Sequence, residues 1–191
     1  MKEIEELVAK LGLDKQLRLD EMPGIDLYMD QVIQLFENKY ADTKRNEDEK
    51  ILTKTMINNY AKGDLFFPVK KKKYTRDHLV MISMIYQLKG ALSINDIKGV
   101  LEGINNQAVR GELDLSGFYS IYLDLCETNT GDFMGELAKR YAAVNDKCET
   151  NSEDINRKVL LIASLVHMSN MYRRVAEKIA DELLEKNSGE K

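Results

Sequence analysis

The sequence predicts an all-α fold, and three observations predict it. Only 2 prolines occur in 191 residues, and proline is the residue a helix interior tolerates least. Apolar residues recur at three- and four-residue spacing along most of the chain, which is the period of one helix face. Residues able to cap a helix stand at the starts of several of these runs. An apolar content of 43% suffices for a core, and 31% charged with 7% aromatic residues suits a helical chain. The length fits one domain with an appendage, or two small domains.

The elements follow in order. Ile4, Leu7, Val8 and Leu11 mark a short amphipathic helix that needs a surface to lie on. Residues 18–24 read as an extended turn, because the residue before Pro23 is pushed away from helical geometry. Asp26 is placed to cap a helix whose buried side is Leu27, Met29, Val32, Ile33, Leu35, Phe36 and Tyr40. Residues 42–50 (DTKRNEDEK) form a polar connector of mixed charge. Thr53 caps the next helix, with Met56, Ile57, Tyr60 and Ala61 on one face and Lys54, Thr55, Asn58, Asn59 and Lys62 on the other. Gly63 ends it, supplying left-handed backbone. An apolar clamp, Leu65, Phe66, Phe67, Pro68 and Val69, precedes four lysines and Tyr74 in a loop or hairpin. Thr75 caps a helix carrying Leu79, Val80, Ile82, Met84, Ile85 and Leu88, which Gly90 stops. Ser93 with Asp96 begins another in capping-box fashion, with Ile94, Ile97, Val100 and Leu101 as its apolar face.

Past Gly103 the pattern weakens. Residues 105–117 read as a connector with little helix, and 118–126 and 133–144 as two helices separated by Thr-Asn-Thr-Gly at 128–131. A break at 145–150 precedes the longest helix, which Ser152 opens and which runs to about Lys186. Such a helix is about 50 Å long. Its middle is apolar nearly all round and requires cover, from an intramolecular bundle or from a second copy. Residues 187–191 should fray. The resulting division is 1–24 as an N-terminal helical extension, 25–103 as the central domain, and 104–191 as a helical C-terminal region.

The central stretch is also the electrostatic outlier. Between Thr53 and Gly90 eight Lys/Arg face two acids, a net +6 in a chain of −4, so the remainder carries −10. A concentrated positive patch on an acidic chain is the footprint of a polyanion-binding surface. Asn can pair with adenine edges in the major groove, and Lys can hold phosphates or guanine. The plainer alternative is a polar helix face beside a solubilising loop.

The order of these pieces resembles the DNA-binding domain of MerR-type winged helix-turn-helix regulators. The matching segments are the capped helix at 53–60, the apolar segment 65–68 ending in Pro68, the basic wing 70–74 closed by Tyr74, the helix at 78–88, and Leu92-Ser93-Ile94 with Ile97 and Leu101. With the helix at 25–40, the whole also resembles an uncharacterised bacterial family described as MerR-like. Three departures stand out. Asn58-Asn59-Tyr60 replaces the usual Arg-Tyr-Tyr, Asp64 sits where Gly is usual, and the connector 42–50 is long.

The resemblance implies a winged helix-turn-helix, with the wing adding a small two-stranded ribbon. It implies a cytoplasmic transcriptional regulator that binds double-stranded DNA as a homodimer through its long C-terminal helix. The implied contact residues are Thr53, Lys54, Thr55, Asn58, Asn59, Tyr60, Lys62, Lys70, Lys71, Lys72, Lys73, Tyr74 and Arg76. A competing expectation from another class is a protein–protein interaction module that works through the C-terminal helices.

Other classes find little footing. The chain has no GxGxxG, GxxxxGK[ST], HExxH or GxSxG, so no enzyme and no cofactor are expected. Cys126, Cys148 and His167 lie too far apart in sequence to read as a structural zinc site. His167 reads as a core or seam residue, and His78, near the start of its helix, as a residue that approaches phosphate or, equally, as a plain surface residue. The first residues show no secretory signal, and no apolar run is long enough for a membrane span.

Overall fold

The computed structural model describes residues 2–148 and 154–189. Among them are seven α-helices and one two-stranded sheet: α1 (Lys2–Ala9), β1 (Leu27–Tyr28), α2 (Met29–Tyr40), α3 (Lys54–Lys62), β2 (Lys73–Tyr74), α4 (Arg76–Leu88), α5 (Ile94–Arg110), α6 (Leu115–Lys147) and α7 (Asp154–Gly189). No helix among the described residues is long and apolar enough to cross a membrane.

The core is one cluster reaching from Leu17 to Tyr119. Helix α4 is its axis, buried without interruption from His78 to Ile85. Phe36 and Tyr40 of α2, Ile57 and Tyr60 of α3, and Ile97 and Leu101 of α5 pack around it. The connector 42–50 is fastened rather than loose, because Glu37 accepts from both Lys44 Nζ and the Ile51 amide. The segment before α2 is held at one residue. The Leu17 amide donates to the Tyr40 hydroxyl at 3.2 Å, and the Tyr119 hydroxyl donates to the Leu17 carbonyl at 2.8 Å. The core therefore extends past both expected boundaries, 25 and 103.

The caps at Thr53, Thr75 and Ser93 form as local chemistry dictates. Each hydroxyl accepts from the backbone N–H three residues on. Other expectations need correction. Residues 19–21 form a 3₁₀ turn, held by the Arg18 amide donating to Glu21 at 2.8 Å. Asp26 does not cap α2. Strand β1 intervenes, and Gln31 accepts from the Tyr28 amide at 2.8 Å. At the end of α3 the left-handed residue is Asp64 (φ 56), while Gly63 stays right-handed. Gly63 leaves room for a neighbour instead: a Cβ there would lie 2.7 Å from Leu65 Cδ1, so the Leu65 side chain would have to shift.

The largest corrections concern the C-terminal half. Residues 105–117 are not a connector. Helix α5 continues to Arg110 and ends at Gly111 in left-handed backbone (φ 70), and Asp114 caps α6. Ile104 and Ala108 pack against the core and hold this stretch helical. Helix α6 runs through 128–131 unbroken, where Thr128 and Thr130 donate back to the carbonyls of Asp124 and Cys126 at 3.0 and 2.8 Å. Helix α7 packs against α6 and α5. Its close approach to α5 is at Gly99, where an added Cβ would come within 1.9 Å of Leu184 Cδ2. Ser152 lies outside the described residues, and 187–189 continue α7. Among the described residues Ala180 is the one residue of α7 in the fully buried set, and they leave much of the helix exposed.

Candidate nucleic-acid interface

Helix α3 presents its polar side to solvent because the apolar side is used up. Ile57 and Tyr60 are buried, while Lys54, Thr55, Asn58, Asn59 and Lys62 are exposed. The hydroxyl of Thr53 accepts from the Met56 amide at 3.1 Å, so it serves the helix start. Next to α3 stands the basic hairpin expected as a wing. Residues 70–73 close a tight hairpin, with the Lys73 amide donating to the Lys70 carbonyl at 3.0 Å. Lys71 and Lys72 both sit in left-handed backbone, φ 51 and 58. Two successive positive φ values at the central positions are the signature of a type I′ turn. The exit strand β2 pairs antiparallel with β1, Leu27 opposite Tyr74 and Tyr28 opposite Lys73. The Lys73 ammonium also lies over the Tyr28 ring, 5.7 Å from its centroid.

Between helix and wing lies an open cleft of about 750 Å³. Lys54 and Asn58 line it from α3, Lys72 from the hairpin tip, and Phe67 and Val69 from the clamp. The charges are mixed. Asp30 pairs with Lys54 at 2.7 Å, and both side chains are exposed; such a pair adds little stability but neutralises the lysine. Asp64, also on the cleft, meets Lys98 at 3.6 Å. Among the described residues no acid pairs with Lys62, Lys70, Lys71 and Lys72, all exposed, or with Lys73, half-buried. Arg76 is exposed, and its guanidinium donates to the Met22 carbonyl at 3.4 Å.

Two expected contact residues are not presented. Tyr60 and Tyr74 are 4% exposed, and burial raises both phenol pKa values. Tyr60 fills the core beneath α3, and Tyr74 packs edge-on against Phe66 at 6.4 Å. The surface role read for His78 is also overturned. It is buried under the wing, against Phe66, Phe67 and Tyr74.

Sequence reading missed Asp30 and Asp64 as neighbours of the basic face. Asp30 lies 24 positions from its partner Lys54, and no spacing rule links them. Asp64 was visible as an acid inside the basic stretch. Among the described residues no group of three His, Cys, Asp or Glu could hold a metal ion.

A family model described as "Domain of unknown function (DUF1836)" matches residues 17–122. No curated protein and no solved structure matches the chain. The matched span coincides with the core cluster from Leu17 to Tyr119. The hairpin of α6 and α7 lies largely beyond it.

Proposed function

The chain belongs to the DUF1836 family, and from that premise we propose that it is a sequence-specific DNA-binding regulator built on a MerR-like winged helix-turn-helix. Helix α3 enters the major groove and the lysine wing grips the flanking backbone. One observation carries this reading: Lys54 and Asn58 of α3 and Lys72 of the wing border the same cleft, so amides and cations share a face. The labour is divided. With Lys54 neutralised by Asp30, phosphate attraction comes chiefly from the wing, while Asn58, Asn59 and Thr55 read base edges.

The test is a mobility shift with random duplex DNA across a salt series. Three to five phosphate contacts give a log–log slope of about −3 to −5. Replacing Lys70, Lys71, Lys72 and Lys73 by Ala is expected to abolish binding at about 50 mM salt, whereas Asn58→Ala with Asn59→Ala relaxes sequence preference and leaves the slope unchanged. A wild-type protein that binds no duplex at about 50 mM salt would falsify the reading.

A second reading, protein–protein association through the C-terminal helices, is favoured by the surface of α7. Ile155, Val159, Ile162 and Val166 are 53–63% exposed, and Tyr172, Val175 and Ile179 are 55–69% exposed. The occupant that fits is a second copy of this chain. Residues 154–174 hold four Lys/Arg and one acid, and residues 175–186 hold four acids and two Lys. Antiparallel pairing of two α7 helices sets the positive half of each against the negative half of the other. The two readings are compatible, since a dimer sets half-site spacing.

A further inference from the structure

We infer that His78 is the positioning residue of the wing: its neutral imidazole pins the basic hairpin to the start of α4, and protonation of the ring frees the hairpin from its place beside α3.

The geometry is that of a pin. His78 is 3% exposed and lies where the clamp 65–69, strand β2 and the N-terminus of α4 meet. Its Nδ1 accepts from the Thr75 amide at 3.1 Å and lies 2.8 Å from the Thr75 hydroxyl. Thr75 directly follows β2, so this bond fixes the exit strand of the hairpin. The ring packs against Phe67 (centroids 4.3 Å apart), Phe66 (5.8 Å) and Tyr74 (5.8 Å). Because Nδ1 accepts, the proton of the neutral ring sits on Nε2, which is buried and makes no hydrogen bond of acceptable geometry.

Protonation would put a second proton on Nδ1. The Nδ1–H would then turn to the Thr75 hydroxyl 2.8 Å away, the Thr75 N–H would lose its acceptor, and a cation would sit in a buried site. The groups favouring the cation are Asp77 on α4, Asp26 ahead of β1, and the Phe67 and Pro68 carbonyls of the clamp. From β2 comes the Tyr74 phenol, which burial keeps neutral. Burial outweighs the favourable groups and holds the imidazole below its usual 6.5. The sign follows. With the folded-state pKa below that of the unfolded chain, the stabilisation is complete above about pH 6.5 and is lost as pH falls.

The loss of affinity expected here rests on the phosphate-binding reading; the pin itself does not. Simple electrostatics gives the opposite sign, because added positive charge would tighten binding to phosphate. The experiment uses the full chain and a short DNA duplex at fixed low salt, from about pH 7.5 to about pH 5. NMR on the same samples follows the His78 imidazole and the amides of Lys73 and Tyr74. Affinity is expected to fall by up to about tenfold per pH unit as the ring titrates, with both amides moving on the same curve. His78→Asn keeps an acceptor for the Thr75 amide and does not titrate, so it should bind independently of pH. His167→Asn, the control for the other histidine, should behave as wild type. Binding that tightens or stays flat in acid overturns the inference. So do amides that stay still across the range, or a His78→Asn protein that keeps the pH dependence. If no duplex binds at any pH, the phosphate reading fails, and the amide titration alone decides the pin. The same titration on the wild-type protein suffices if His78→Asn does not fold.

Discussion

At the scale of single residues, the wing tip is the most telling feature. Non-glycine residues rarely adopt positive φ, and each such residue costs about 1–2 kcal/mol. Lys71 and Lys72 do so side by side, where Asn-Gly would be at ease. Strain kept at a site of high charge density fits a contact role. Replacing the pair by Asn-Gly is expected to raise the thermal midpoint by a few degrees, about 1 kcal/mol or more. Duplex affinity should drop and the salt slope flatten by about 2. Calorimetry and a salt titration check the two halves separately. The residue scale is also where the sequence was most legible. The caps at Thr53, Thr75 and Ser93 depend only on a hydroxyl and the N–H three residues on, so composition reveals them. The burial of Tyr60 was legible in its place on the apolar face of its helix, whereas that of Tyr74 and His78 depends on what the far face of the core supplies, and no local pattern contains that.

At the scale of elements, the chain up to Gly103 followed the apolar periodicity and residues 105–131 did not. The reason is specific. Asn105-Asn106 and the 128–131 segment carry residues of low helix propensity, and each reads as a break. In the fold, packing along α7 overrides that preference, and the two threonine hydroxyls are satisfied by bonding back to the helix itself. Two glycines should therefore respond oppositely to alanine. Gly131 lies inside α6 with nothing within 4 Å of an added Cβ, so Gly131→Ala is expected to stabilise by about 0.5–1 kcal/mol. Gly99 faces Leu184, so Gly99→Ala is expected to destabilise by about 1–3 kcal/mol, with Leu184→Ala in the same chain recovering part of the loss. Urea unfolding measures both. A neutral Gly131→Ala would argue that α6 breaks in the middle.

At the scale of the whole molecule, a compact body from Leu17 to Tyr119 carries a hairpin of two helices, each about 50 Å long. Helix α7 changes its covered side along its length. Over its first half the exposed apolar residues include 155, 159, 162 and 166, and over its second half 172, 175, 179 and 183. At about 100° per residue these two stripes point roughly 120° apart, so the body conceals one side near Ala180 and leaves the other bare. The long helix was legible as a helix in need of cover; that the described residues leave much of it exposed was not, because exposure is a tertiary fact. If a second copy supplies it, sedimentation equilibrium should give a dimer at micromolar concentration. Val159→Glu with Ile162→Glu should give a monomer of unchanged helicity that binds duplex more weakly. A wild-type monomer at every concentration would remove the association reading and leave the cleft argument standing.

The notch at Gly99 has a further consequence. Leu184 fits it as a key fits a slot, and a rod keyed at one end has a set azimuth. One residue inserted into α7 ahead of Leu184 would swing the outer part of the rod by about 100° about its own axis, with no change in composition to speak of. In any two-copy arrangement the spacing and phase of the paired basic faces would then be dictated by one missing methyl group, far from either face.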